Sequence, residues 1–214
     1  MDYSNFDLKA YIANHLQNVE DKYPKIEQTY GKDFPSFLYR HDIDLVIKRE
    51  VIQLLGFPEK NRDFLDHDHW LKLHPFNFPG PFYTGESDTC GTGDSEAPGN
   101  VMYDSYCCEY IFKQPQTYAE LLCVIDAAAV EVFDSYSCNG NTHWKFELCK
   151  KWWSQKSHLI EQLNHPEVKK MNGGREQLYI NYLSSEAEID LRRYCYFLDN
   201  GGFPANENTI LPDL

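Results

Sequence analysis

Cations are what the middle of this sequence lacks. Between Leu73 and Trp144 a single basic residue, Lys113, stands against ten acids: Glu86, Asp88, Asp94, Glu96, Asp104, Glu109, Glu120, Asp126, Glu131 and Asp134. That stretch carries most of a formal net charge of −13. Binding a polyanion requires Lys or Arg to neutralise its phosphates, so the shortage argues against nucleic acid as a direct ligand. An anionic membrane surface is disfavoured for the same reason. The flanks differ: Lys145, Lys150, Lys151, Lys156, Lys169, Lys170 and Arg175 make residues 145–175 mildly basic.

Other absences narrow the class further. No run approaches the roughly 20 continuous apolar residues that a membrane-spanning helix needs. The opening Met1-Asp2-Tyr3-Ser4-Asn5-Phe6-Asp7 has neither a positive nor an apolar region, so it does not read as a secretory signal. The seven cysteines show no repeated pair. Cys107 and Cys108 are adjacent, with α-carbons only about 3.8 Å apart, which is poor geometry for an ordinary disulfide. The cysteines therefore read as reduced thiols, several of them buried, in a cytoplasmic protein. There is no internal repeat, low-complexity tract or long linker.

What is present favours a packed fold. An apolar fraction of 42% with 15% aromatics excludes a disordered chain, and 214 residues can bury a core without staples. One domain over residues 1–214 is the expectation. Leu8, Tyr11, Ile12, Leu16 and Val19 recur at helical spacing, behind a capping-box-like start at Ser4 and Asp7. Asp42 can cap a second helix carrying Leu45, Val46, Ile52 and Leu55, stopped by Gly56 and Pro58. Asn61 starts a third, short helix that must end before Pro75. Residues 75–100 then alternate prolines with Phe76, Phe78, Phe82 and Tyr83 before glycines recur, which predicts a long ordered loop. One or two strands, able to pair as a hairpin, are expected in Val101–Phe112. Thr117 and Glu120 box a deeply apolar helix through Val132, and a further helix spans Trp144 to Leu163. Gln177–Leu183 reads as a strand, and Ser185 with Glu188 opens a last helix closed by Asn200-Gly201-Gly202. The predicted fold is thus α+β, mainly α. Five or six helices pack with a small antiparallel sheet or hairpin, and the 75–100 loop separates the N-terminal helices from the C-terminal α+β part.

Three sets of residues invite chemistry. Asp63, Asp66, His67, Asp68, His69 and His74 offer carboxylate and imidazole ligands suited to zinc, manganese or iron. On a helix, Asp63 with His67 would stand one turn apart on one face. The order is not that of a zinc-protease helix, and further ligands would have to come from elsewhere. In the loop, Gly85-Glu86-Ser87-Asp88-Thr89 begins like a nucleophile elbow but lacks its closing glycine. The same loop lacks the lysine of a phosphate loop and the ligand spacing of a calcium loop. Cys90 or Cys138 with His143 could form a nucleophilic pair. Trp152-Trp153 and the aromatics of 75–83 read more simply as packing.

The leading expectation is a non-enzymatic acidic binding protein without a cofactor. It would be an inhibitor or immunity-type protein covering a basic protein partner through Glu86, Asp88, Asp94, Glu96, Tyr83 and Phe82. Such a surface steers a cationic partner mainly through its on-rate. The alternative is a metal-dependent hydrolase using His67, His69, His74 and Asp63. The first reading requires the carboxylates of the middle third to gather on one exposed face, with no cation from the flanks interleaved.

Overall fold

The computed structural model describes residues 7–85, 91–204, 206 and 208–214. The first helix, α1 (Leu8–Lys22), starts at Asp7, whose carboxylate accepts the Ala10 amide at 3.0 Å. Ser4 lies outside the described residues. Two short helices, α2 (Glu27–Tyr30) and α3 (Phe34–Leu38), lead to α4 (Ile43–Val46). This continues through a π-helical turn, Ile47–Val51, into α5 (Ile52–Leu54). The extra residue in that turn rotates the helix face, so Ile43, Ile47, Val51 and Ile52 are buried while Leu45 is exposed. Gly56 closes the helix with φ of 80°, as its sequence position predicts.

The predicted third helix does not form. Residues 59–72 hold only two 3₁₀ turns, Glu59–Asn61 and Trp70–Lys72. Asp68 accepts the Trp70 amide at 3.0 Å, a local side-chain-to-backbone bond that competes with helix.

The proline-rich segment after it is extended and ordered. Its short strand β1 (Tyr83–Thr84) pairs antiparallel with β4 (Tyr136–Ser137), while β2 (Val101–Tyr103) and β3 (Glu109–Ile111) form the expected hairpin. Two strand residues per side cannot satisfy a buried backbone, and two buried amides supply the rest. Asn77 donates to the carbonyls of His74 and Thr84 and accepts the amides of Thr84 and Ile111. Gln114 donates to the carbonyls of Phe78 and Phe82 and accepts the Phe82 amide. A short helix, α6 (Gly93–Glu96), closes the loop's far side.

Helix α7 (Tyr118–Val130) is the deepest, with Leu121 through Ala128 all buried. Its Thr117 hydroxyl accepts the Glu120 amide at 3.2 Å, and the Glu120 carboxylate turns back to the Gln116 amide. A single turn, α8 (Gly140–His143), follows β4, and the span predicted as one helix divides at Gln155 into α9 (Phe146–Ser154) and α10 (Lys156–Leu163). Then come α11 (Pro166–Asn172), α12 (Glu176–Ser184) and α13 (Ala187–Asn200). Residues 177–183 are therefore helix, not strand. Burying Tyr179, Tyr182 and Leu183 on one side requires a helical spacing of three and four. Gly201 ends α13 in the left-handed conformation, with φ of 75°.

The architecture is α+β, mainly α, with more helices than expected because long spans are cut into short ones. Two hydrophobic clusters make the core. One joins the N-terminal helices to α7; the other joins the β2–β3 hairpin to the C-terminal helices. Among the described residues no helix is long and apolar enough to cross a membrane.

Candidate functional site

Several of the described acids of the middle third turn inward or are paired. Glu109 is fully buried, accepting the Gly93 amide at 2.8 Å and the Tyr136 hydroxyl at 2.6 Å. Burial pushes its carboxyl up, and those two donors only partly offset this. Glu131 is buried and accepts the amides of Phe133 and Ser135. Asp126, also buried, takes Lys22 at 2.9 Å and the Tyr23 hydroxyl. Asp94 is held by Arg175 at 2.5 Å and by the Tyr103 hydroxyl at 2.6 Å. Burial pushes the Asp104 carboxyl up, but His74 and the amides of Cys108 and Tyr106 outweigh it, leaving the group below the usual carboxylate value.

Cations from both flanks thus reach the middle third: Lys22 from α1 and Arg175 from the turn before α12. The single exposed face expected to gather the carboxylates of the middle third is not assembled by the described residues. Asp94 is engaged by Arg175, and Glu96 is half-buried with its carbonyl 2.7 Å from His15 Nε2. Phe82 and Tyr83 are both fully buried, so they are core wedges and offer no partner surface. Their alternation with prolines places them under the loop, where the only apolar volume is inside. Glu86 and Asp88 lie outside the described residues.

Of the metal candidates only His67 and His69 stay neighbours, with ring centroids 5.9 Å apart. His74 is buried, 3.3 Å from Asp104 and stacked on Tyr110. His69 Nδ1 meets the Ser137 hydroxyl at 3.0 Å, and burial, then the charge of His67, pushes its ring down. His67 points to Asp134 at 3.6 Å, and Asp63 is exposed in a turn in which its carbonyl accepts the Asp66 amide at 2.9 Å. Without the helix, nothing holds Asp63 and His67 on one face. Among the described residues no three His, Cys, Asp or Glu side chains gather closely enough to hold a metal. The Cys138–His143 pair does not form either. Burial pushes the Cys138 thiol up to about 12, and His143 turns to Asp68. Cys90 is outside the described residues.

What the fold does assemble is a half-exposed constellation around Asp68. His143 Nε2 lies 3.0 Å from Asp68 Oδ2 and 3.3 Å from the Asn139 amide nitrogen. The Tyr83 hydroxyl sits 2.9 Å from Asp68 Oδ1 and 2.7 Å from Asn139 Oδ1. Burial, aided by Asp68, pushes the Tyr83 phenol up, so it remains a neutral donor. Partial burial pushes the Asp68 carboxyl up, but the Trp70 amide, Tyr83 and His143 outweigh it and hold the group ionised. The Trp70 ring stacks on His143 with centroids 4.8 Å apart and planes 8° from parallel. Three elements converge here: the 62–70 segment, β1 and α8. Gly85 permits the approach, since a Cβ there would sit 3.0 Å from His69 Cβ.

Around this constellation lies the free surface. Asp63, Asp66 and Asp68 are exposed and Asp134 is half-exposed; among the described residues no Lys or Arg is within ion-pair distance of any of them. Beside them Leu71 is 99% exposed, Val132 65% and Phe133 57%. Local sequence offered no signal for the Asp68–His143 contact, which joins positions 75 residues apart. No family model matches the chain, and no curated protein or solved structure is detectably similar to it.

Proposed function

We propose that the chain is a non-enzymatic binding protein that covers a basic protein partner, as an inhibitor or escort does. Its docking face would be Asp63, Asp66, Asp68 and Asp134 with Leu71, Val132 and Phe133. One observation carries this. Asp63, Asp66, Asp68 and Asp134, none within ion-pair distance of a Lys or Arg among the described residues, share their segments with the exposed apolar side chains Leu71, Val132 and Phe133. A solvated acidic face needs no apolar residues, and several exposed apolar side chains rimmed by polar ones are what marks an interaction surface. Apolar anchors rimmed by charge are how protein interfaces divide affinity from steering. The partner this face fits presents Lys or Arg around an apolar centre.

The test is capture from a lysate of the native host by the immobilised full chain, with mass spectrometry of what elutes between about 0.1 and about 0.5 M salt. A basic protein should elute in that window and should disappear from the eluates of a Leu71→Ser/Phe133→Ser variant and of Asp63→Asn/Asp66→Asn. Equal capture by both variants would remove this face from the reading.

A further inference from the structure

We propose that His143 makes this docking face sensitive to pH, so that a basic partner held near neutrality is released on acidification. This rests on the binding reading above and concerns its regulation. His143 is 25% exposed, reachable by solvent protons yet fixed in place by Trp70 stacked on its ring. Its surroundings are specific. From the 62–70 segment it faces Asp68 and the Trp70 ring, and from the residue before its own helix it meets the Asn139 side chain. From β1, Tyr83 stands behind both Asp68 and Asn139 and stays neutral.

Neutral His143 leaves the charge of Asp68 uncompensated, because among the described residues no Lys or Arg is within ion-pair distance of it. Protonated His143 takes the same carboxylate into an internal ion pair at 3.0 Å. The pair then goes from a net charge of −1 to zero: Asp68 stays ionised but is compensated by the imidazolium beside it. A face with one fewer uncompensated carboxylate holds a cationic partner less well. The pairing unfolds nothing, since the other donors to Asp68, the Trp70 amide and Tyr83, remain.

Two measurements on the full chain separate the switch from the surface. Imidazolium stacked on indole quenches its emission, so tryptophan fluorescence should fall in one step on acidification. That step should vanish in His143→Gln and in Trp70→Phe and persist in His158→Gln, which alters an exposed histidine on α10. A step unchanged in His143→Gln overturns the switch. Binding is then read with a fluorescein-labelled peptide of alternating lysine and leucine. Its affinity should drop about two- to fivefold between about pH 7.5 and about pH 5.5 in the wild type, the scale of one exposed ion pair with the partner lost. With His67, which faces Asp134 of the same surface at 3.6 Å, replaced in both proteins (His67→Gln), the ratio in His143→Gln should approach one. Equal affinity at both pH values, with binding intact, overturns the switch and spares the surface. No binding at about pH 7.5 overturns the surface reading, and the switch falls with it.

Discussion

Two groups of carboxylates in this protein differ in what they are used for. Those between Asp94 and Glu131 serve the fold. Glu109 pins the start of α6 to β3, Glu131 ties the turn after α7, and Asp94 locks that same short helix to Arg175. Those at Asp63, Asp66, Asp68 and Asp134 have no Lys or Arg partner among the described residues, and they face solvent beside Leu71 and Phe133. Equal formal charge therefore means opposite things in the two regions. A dense acidic stretch in a sequence is no measure of acidic surface, because a buried carboxylate is already answered by donors.

The contrast can be broken most easily at Glu109. Glu109→Ala leaves the Tyr136 hydroxyl and the Gly93 amide buried without an acceptor, and should cost about 3–4 kcal/mol in urea unfolding. A loss below about 1 kcal/mol would mean that the interior group is not structural. Next comes Asp104, whose carboxyl is held below its ordinary value in the folded state. Such a group stabilises the fold above its unfolded value, and that contribution is lost as pH falls through the folded value. Asp104→Asn should thus cost about 1 kcal/mol near neutrality, while its unfolding midpoint converges with that of the wild type in acid. A gap that stays constant with pH would assign the effect to packing instead. The smallest effect belongs to the other group. Asp63→Asn/Asp66→Asn should shift stability by less than about 0.5 kcal/mol while abolishing capture of a basic partner. A large stability loss there would erase the distinction between the two regions.

Some helix ends were legible from a single residue: Thr117, Gly56 and Gly201 each act as their positions suggest. Others were not, since the first helix is capped by Asp7 itself, Asp42 makes no capping bond and turns to Arg40, and the last helix starts after Glu186 with no side-chain cap. The β2–β3 hairpin was legible from its apolar and aromatic pattern. Residues 61–72 misled because their Asp and His spacing suits a helix, whereas Asp68 prefers a local bond to the Trp70 amide. Residues 177–183 misled because Leu178, Tyr179, Ile180 and Tyr182 fit both periods in so short a window.

The candidate surface was hardly legible at all. Composition pointed to a cation-poor middle third, and that much stands. Which acids stay outside depends on where Lys22 and Arg175 arrive, and both come from elements far away in sequence. Local residue chemistry fixed the caps, the turns and the mainly helical class, because those are settled within a few residues. Only packing chose which charges to bury, pair or leave in water, since the energy of a charge is set by neighbours that no short stretch of sequence contains.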